Sequence, residues 1–162
     1  MQPPDIRVHP LREHAGLCPF FAAAFEAEWP DWYGPRGPGD AAGDLAAFAN
    51  PQGVLPVGVV ALAPDRRPVG VAALKAESIR SHAHLLPWAA AGYVVPAWRR
   101  QGVGALLLGA LVREASRLGH GEVWCATATS ASLLLRAGWR QVDRVVHDGH
   151  TLEVFVSRRH PS

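Results

Sequence analysis

The stretch RRQGVGALLLGALVREA, residues 99–115, places a tight cationic turn directly before a leucine-rich helix, and the prediction of the fold depends on it. Gly102 and Gly104 carry no Cβ, so the backbone of the turn can bend sharply and approach a ligand closely. The first amide N–H groups of the helix lack partners within it, and the helix dipole favours negative charge at that end. With Arg99 and Arg100 alongside, these groups are typical of a cradle for a phosphate or a diphosphate. The alternative is a structural corner with two exposed arginines.

Two common phosphate-binding loops do not match this turn. A Walker A loop ends in Gly-Lys followed by Ser or Thr, but Lys75 is the only lysine in the chain. A dinucleotide-binding loop of the form GxGxxG needs a third glycine where Leu107 stands. The turn therefore indicates neither a P-loop NTPase nor a dinucleotide-binding enzyme.

Patterns on either side of the turn predict a single α/β domain, residues 1–162, with a mixed, mostly antiparallel sheet of about seven strands and helices on both faces. A strand, the turn, a helix and a further strand follow one another, which forms a βαβ unit and requires a parallel pair. A Pro/Gly loop at 30–40 separates the first two helices. The predicted strands are 5–11, 53–64, 68–78, 89–96, 122–128 and a pair within 141–158, and the predicted helices are 12–29, 40–50, the helix that follows the turn to about Leu118, and 130–139.

Composition and charge exclude several functional classes. The net charge of +2 is too small for a nucleic-acid coat or a polybasic membrane patch, and no apolar run approaches the ~20 residues of a membrane span. Cys18 and Cys125 fit no metal-ligand spacing, which favours two reduced thiols. His82 and His84 lack a third ligand, so no metal is expected. The first residues lack the apolar core of a signal peptide, which favours a cytoplasmic protein.

The strand, the turn and the helix together resemble the GCN5-related N-acetyltransferase (GNAT) family. Arg99-x-x-Gly102-x-Gly104 matches the [RQ]-x-x-G-x-[GA] signature that lies between a strand and a long helix in that family. The order of elements is similar over essentially the whole chain, and the sequence AGW at 137–139 is similar to the family's Gly-aromatic pair. The resemblance implies an acyltransferase of the GNAT fold, bacterial in origin, that uses acetyl-CoA and no metal.

The resemblance also implies that acetyl-CoA binds along the turn and the strand before it. The diphosphate would lie on the backbone of the turn. The pantetheine arm would pair with the end of the strand, where that strand splays from its neighbour in the sheet. Ser130 and Ser132 would touch CoA, or alternatively would only cap the short helix that follows. The remaining implied contacts are Tyr93, Val94, Val95, Arg99, Arg100, Gln101, Gly102, Val103, Gly104 and Ala105.

The implied reaction is direct attack of a primary amine, in a small molecule or a peptide, on the thioester carbonyl in a ternary complex. A base must first take a proton from the ammonium, and Glu77 and His84, after the third strand, are the catalytic candidates. The alternative for Glu77, for His84 and for the neighbouring His82 is that each is a solvated surface side chain with no catalytic role. Leu134 stands where many members carry the tyrosine that protonates the departing thiolate. This difference leaves open a domain that binds acyl-CoA without turnover. The turn by itself leaves open a second alternative, a module that binds another phosphorylated ligand without CoA.

Aromatic residues and one carboxylate mark the expected acceptor side. The implied fold places the Pro/Gly loop after the first helix over the acceptor cleft. Glu28, Trp29, Trp32 and Tyr33 are the substrate candidates, and their aromatic rings suit an apolar or cationic acceptor. The alternative is a hydrophobic plug that holds the loop down. No nucleic-acid or membrane partner is expected, whereas a homodimer through the last strands stays open.

Overall fold

The computed structural model describes residues 5–157, and its strands form a single seven-stranded sheet. The strands are β1 Arg7–Pro10, β2 Val57–Leu62, β3 Pro68–Lys75, β4 Trp88–Val94, β5 Trp124–Thr127, β6 Arg140–His147 and β7 His150–Val156. They lie in the order β1-β2-β3-β4-β5-β7-β6, with β4 and β5 parallel and the other pairs antiparallel. The predicted sheet and its parallel pair are thereby confirmed. Residue 158, the end of the last predicted strand, lies outside the described residues, as do both ends of the predicted domain 1–162.

Five α-helices are described in residues 5–157: α1 Cys18–Glu28, α2 Pro30–Tyr33, α3 Ala41–Phe48, α4 Val103–Arg117 and α5 Ala131–Arg136. Asp40 caps α3, since its carboxylate accepts a 3.0 Å hydrogen bond from the backbone N–H of Gly43. The described helices include none of the length and apolar character needed to cross a membrane.

Two segments differ from the prediction. The predicted helix 12–29 begins as a 3₁₀-helix, Leu11–Leu17, in which His14 is non-helical (φ −137°, ψ 40°), and it becomes α-helical at Cys18. Pro19 explains this boundary, because proline has no N–H to donate and is tolerated only in the first turn of an α-helix. The predicted loop 30–40 contains the short helix α2, which also begins with a proline.

Separate apolar cores cover the two faces of the sheet, which confirms helices on both faces. All six residues of β2 are buried, and their side chains alternate between the cores. Val57 and Val59 pack in the core that contains the apolar face of α4. Val60 and Leu62 pack in the core that contains Phe21 and Phe25 of α1 and the apolar residues of α3. The leucine-rich stripe of α4 therefore fixes this helix on one face of the sheet, and its N-terminus follows the carboxyl end of β4.

The parallel strands β4 and β5 separate almost at once. They are bridged at one residue pair, Trp88 with Trp124. Beyond this pair β5 continues to pair with β7, whereas β4 continues to pair with β3. A gap therefore opens in the middle of the sheet, at the carboxyl ends of both strands.

A bulge in β4 accompanies the gap. Val71 and Ala73 of β3 lie opposite Tyr93 and Ala90, so β4 holds one residue more than β3 between these two pairs. Ala91, within the bulge, has a positive φ of 55°. An L-amino acid with a Cβ adopts this conformation at a cost, so the surrounding structure must hold it there.

Candidate active site

A cleft with a volume of about 980 Å³ opens where β4 and β5 separate. Its lining comes from residues 89–94 of β4, from the turn before α4 and the first half of that helix, and from residues 125–130 at the end of β5. Glu28 and Trp29, at the end of α1, also line it. One continuous cleft therefore joins the glycine turn to two of the four residues predicted for the acceptor, Glu28 and Trp29.

The turn before α4 brings backbone N–H groups to the cleft. Gly102 is left-handed (φ 88°, ψ 2°), which glycine adopts without strain, and no side chain caps the helix there. Leu106 N donates to Gly102 O at 3.2 Å, so the N–H groups of residues 103–105 precede the first partner within the helix. Gly104 lies against α5, and a Cβ added to it would be 3.1 Å from Cδ2 of Leu133. An uncapped helix end of this kind, in an open cleft, can bind an anion through its backbone.

Two arginines add positive charge to this part of the cleft. Arg100, with a positive φ of 64°, belongs to the turn, and Arg136 lies at the end of α5; both line the cleft. Neither forms a salt bridge within residues 5–157. Sequence reasoning missed Arg136, although its place two residues before Gly138 of the Gly-aromatic pair puts it at the helix end nearest that motif.

Arg99, by contrast, contacts the residues on the acceptor side. Its Nη2 lies 3.1 Å from Oε1 of Glu28, and its Nε donates a 2.8 Å hydrogen bond to the carbonyl of Val94. Its guanidinium carbon lies 5.5 Å from the ring centroid of Tyr93, within cation–π distance. The side chain thus links the end of α1 to the end of β4.

The other predicted CoA residues divide between the cleft and its supports. Tyr93, Val94, Val103 and Ala105 line the cleft together with the two glycines of the turn. Gln101 and Val95 do not line it. Gln101 Nε2 donates to the carbonyl of Ala97 at 3.1 Å, and Val95 N donates to the carbonyl of Val69 at 2.8 Å. These two residues shape the turn through their hydrogen bonds.

The serines at the start of α5 also differ from each other. Ser130 lines the cleft, whereas Ser132 is exposed on α5 and does not. The alternative in which Ser130 caps α5 through its side chain is wrong, because that side chain makes no capping hydrogen bond. Thr127 Oγ1 instead accepts from Ser130 N at 2.8 Å and from Thr129 N at 3.2 Å. The hydroxyl of Ser130 is therefore free of any capping role.

An aromatic cluster forms the end of the cleft that is predicted to hold the acceptor (the acceptor end). Phe25 is fully buried beneath Trp29 and Tyr93, with ring centroids 5.0 and 6.3 Å from its own. Trp29 and Tyr93 lie 6.4 Å apart and both line the cleft. Glu28 supplies the only carboxylate among the cleft-lining residues of the described chain. This end of the cleft offers two aromatic rings and one anion.

The loop aromatics are placed differently from Trp29. Tyr33 does not line the cleft, and its hydroxyl donates a 2.6 Å hydrogen bond to Oδ2 of Asp44, which ties α2 to α3. Burial, followed by the bond to that carboxylate and its charge, raises the pKa of the Tyr33 hydroxyl. Trp32 is 54% exposed and lies outside the cleft lining.

The predicted bases after β3 lie outside the cleft lining. Glu77 and His84 are exposed in the connection to β4. His82 is held by hydrogen bonds: Ser81 Oγ lies 2.8 Å from its Nδ1, and Asp143 Oδ2 lies 2.8 Å from its Nε2. The backbone N–H of Arg144, and then His82, lower the pKa of Asp143. This contact fastens the connection to β6, so His82 has a structural partner.

Cys125 is a cleft residue that sequence reasoning did not select. It lies on β5 and lines the cleft, and burial raises the pKa of its thiol to about 12. The group is therefore a neutral thiol at physiological pH. Cys125 is partly buried against the core that contains α4, a contact for which the sequence around it carries no signal. The two cysteines are not bridged to each other.

One group of possible metal ligands lies elsewhere. His9, Glu13 and His14 bring their ligand atoms within 4.8 Å of one another, at β1 and the 3₁₀-helix after it. Since β1 is the edge strand three positions from β4, this group is separate from the cleft. The predicted His82–His84 pair gains no third ligand in the described residues.

Comparison with known proteins agrees with this architecture. A sequence model of the Acetyltransferase (GNAT) family matches residues 20–138. No curated protein matches the chain by sequence. An aminoglycoside 6'-N-acetyltransferase complexed with coenzyme A has a TM-score of 0.74 at 12% identity, over 96% of this chain and 99% of that one.

Two further solved structures are similar. A putative acetyltransferase from Salmonella typhimurium, determined with its cofactor acetyl-CoA, has a TM-score of 0.67 at 17% identity, over 98% of this chain and 97% of that one. The spermidine/spermine N-acetyltransferase from Vibrio cholerae has a TM-score of 0.64 at 12% identity, over 94% of this chain and 93% of that one. At these identities the likeness shows the fold alone.

Proposed function

Because the chain belongs to the Acetyltransferase (GNAT) family, we propose that it transfers the acetyl group of acetyl-CoA to a primary amine of a small molecule, by direct attack in a ternary complex. The observation that carries this proposal is the cleft between the separated strands β4 and β5. One end of the cleft is built for an anion, and the other combines aromatic rings with a carboxylate. Cytoplasmic location, bacterial origin and a homodimer stay predictions.

On the donor side, the backbone N–H groups at the start of α4 and the side chain of Arg100 would hold the diphosphate of CoA. The backbone of β4 near Val94 would hold the pantetheine arm, since this edge of the strand has lost its pairing with β5. Arg136 adds a further cation at the same end of the cleft. Similar folds determined with coenzyme A and with acetyl-CoA support this assignment.

On the acceptor side, Glu28, Trp29 and Tyr93 favour a cationic amine. A carboxylate attracts an ammonium group, and aromatic faces bind cations through their quadrupoles. The aminoglycoside and spermidine/spermine enzymes are named for polycationic amines, which supports this class of acceptor. Trp32, Tyr33, Glu77 and His84 stay predictions, since none of them lines the cleft.

Attack requires the neutral amine, so the ammonium must lose a proton before the carbon–nitrogen bond forms. Two acceptors for this proton are available. One is the carboxylate of Glu28 in the cleft, and the other is bulk solvent, which reaches the same end because Glu28 itself is partly exposed. The new amide bond forms as the carbon–sulfur bond breaks, CoA leaves as its thiolate, and the attacking nitrogen releases one further proton to solvent. Cys125 does not compete as a nucleophile, because its raised pKa keeps the thiol protonated.

One observation favours a second candidate, a domain that binds acyl-CoA without turnover. Leu134 is only 1% exposed and offers no proton where many members of the family carry a tyrosine. Calorimetric titration with acetyl-CoA, CoA and ATP, followed by a thiol-release screen of aminoglycosides, spermidine and peptide amines, separates the candidates. Binding of both CoA forms in preference to ATP, with thiol release by a small amine, is the expected result. Binding without release from any amine would favour the second candidate, and no CoA binding would refute both.

A further inference from the structure

We propose that Arg99 occupies the acceptor's ammonium position until CoA binds, and that the CoA diphosphate then draws it away. This inference rests on the proposed function. It makes the acceptor a cation and makes binding at the two ends of the cleft interdependent.

Two of the three contacts of Arg99 are those that an acceptor ammonium would make; in the third, its Nε donates a 2.8 Å hydrogen bond to the carbonyl of Val94. Its guanidinium pairs with Glu28 at 3.1 Å and lies over the ring of Tyr93 at 5.5 Å. A carboxylate and an aromatic face within the same cleft are the groups that recognise a cationic amine. This internal cation already compensates the charge of Glu28.

Arg99 also lies close in sequence to the anion-binding turn. It lies three residues before Gly102 and directly before Arg100, and all three line the cleft. Its pair with Glu28 is weakly held, because the two side chains are 42% and 37% exposed. Pairs of this exposure are screened by water and contribute little. A diphosphate, which carries more than one negative charge, is a stronger partner for a guanidinium than one exposed carboxylate.

Release of Arg99 changes the acceptor end of the cleft. Glu28 is then the only carboxylate among the cleft-lining residues of the described chain, and it has no cation. The face of Tyr93 is vacated at the same time. CoA binding therefore creates an anionic, aromatic position for the acceptor ammonium, and by thermodynamic reciprocity a cation bound at Glu28 favours CoA.

The test measures the dissociation constant of CoA by calorimetry for Glu28→Gln, Arg99→Gln and the double variant. Removing the competing carboxylate should tighten CoA binding about twofold to fivefold, the range expected for an exposed ion pair. Glu26→Gln is the matched control, since Glu26 lies exposed on the same helix outside the cleft lining. It removes the same charge and should leave the constant unchanged.

Two further arms isolate the role of Arg99. In the Arg99→Gln background, Glu28→Gln should have no effect on CoA affinity. With S-acetylpantetheine, which lacks the diphosphate, Glu28→Gln should have no effect in the wild-type background. The proposal that Arg99 moves from Glu28 to the diphosphate would be overturned if Glu26→Gln changed the CoA dissociation constant as much as Glu28→Gln does. It would also be overturned if the effect of Glu28→Gln persisted in either of these two arms. Failure of the wild-type protein to bind CoA would instead refute the proposed function itself.

Discussion

The bulge residue Ala91 provides a direct test of the geometry that opens the cleft. An L-residue in the left-handed region costs roughly 1–2 kcal/mol, and Ala91 has φ of 55°. A glycine at this position avoids this cost. It also lowers the free energy of unfolding by about 0.5–1 kcal/mol, because an unfolded chain with glycine has more conformational freedom to lose on folding. Loss of the half-buried methyl group of Ala91 costs about 0.4 kcal/mol more, which is half of the burial free energy of a fully buried methylene. Ala91→Gly should therefore leave the free energy of unfolding unchanged within about 0.5 kcal/mol, or raise it by up to about 1 kcal/mol.

The neighbouring residue supplies the matched control. Ala90 is half-buried on the same strand but is not among the residues with positive φ. Ala90→Gly loses the methyl group and the entropy without relieving any strain, so it should destabilise the fold by about 1–1.5 kcal/mol. Urea unfolding followed by tryptophan fluorescence measures both variants. Equal destabilisation of the two would refute the strained bulge at Ala91.

Three further substitutions test other parts of the structure. Gly104→Glu places a carboxylate beside the proposed diphosphate. Repulsion between two negative charges about 4 Å apart costs about 4 kcal/mol at the effective dielectric constant of a protein surface, so the CoA dissociation constant measured by calorimetry should rise at least about 100-fold. An unchanged constant in a folded variant would contradict the placement of CoA. Tyr33→Phe removes the bond to Asp44 and should cost about 1 kcal/mol in urea unfolding. Because the pKa of Tyr33 is raised, the folded protein keeps a proton above about pH 10 that the unfolded chain releases, so the free energy of unfolding of the wild type should fall as pH rises above about 10. If the free energies of unfolding of the wild type and Tyr33→Phe change with pH in parallel, this reasoning is refuted. Ser157→Ala leaves the buried N–H of Val123 without its 2.9 Å acceptor and should cost about 1–3 kcal/mol, whereas a cost near zero would show that this N–H finds another partner.

The order of elements could be predicted because it depends on local patterns. Buried strands such as β2 appear as apolar runs, and α4 appears as a leucine stripe at helical spacing. Boundaries were less certain where two local preferences compete. The helix 12–29 is predicted from apolar residues at helical spacing between residues 17 and 25. The proline at 19 makes the α-helix begin at Cys18, and a 3₁₀-helix forms before it.

The two ends of the cleft differ in how far the sequence could predict them. The anion-binding end depends on glycines and a helix start that are contiguous in sequence, and the structure places most of its predicted residues in the cleft lining. The acceptor end depends on contacts between distant segments. Arg99 and Glu28 are 71 residues apart, and their pairing required the packing of α1 beside β4. Glu77 follows a strand that borders the cleft strand, yet it lies beyond the lining, because proximity in the sheet does not set where an exposed connection points.

The leucine at position 134 is stronger evidence that the departing thiolate needs no side-chain proton donor than it is evidence that the chain lacks turnover. An acid is needed when the leaving group is strongly basic, but a thiol has a pKa near 8.5, so a thiolate leaves without protonation far more readily than an amide nitrogen would. Leu134 lines the cleft, but its side chain is only 1% exposed, packs in the same core as Phe155 and Trp139 and carries no proton to donate. The step that depends on the protein is then the delivery of a neutral amine. Under the proposed function, the groups expected to matter for the rate lie at the acceptor end, at Glu28 and the rings beside it, and the thiolate would take its proton from solvent after it leaves.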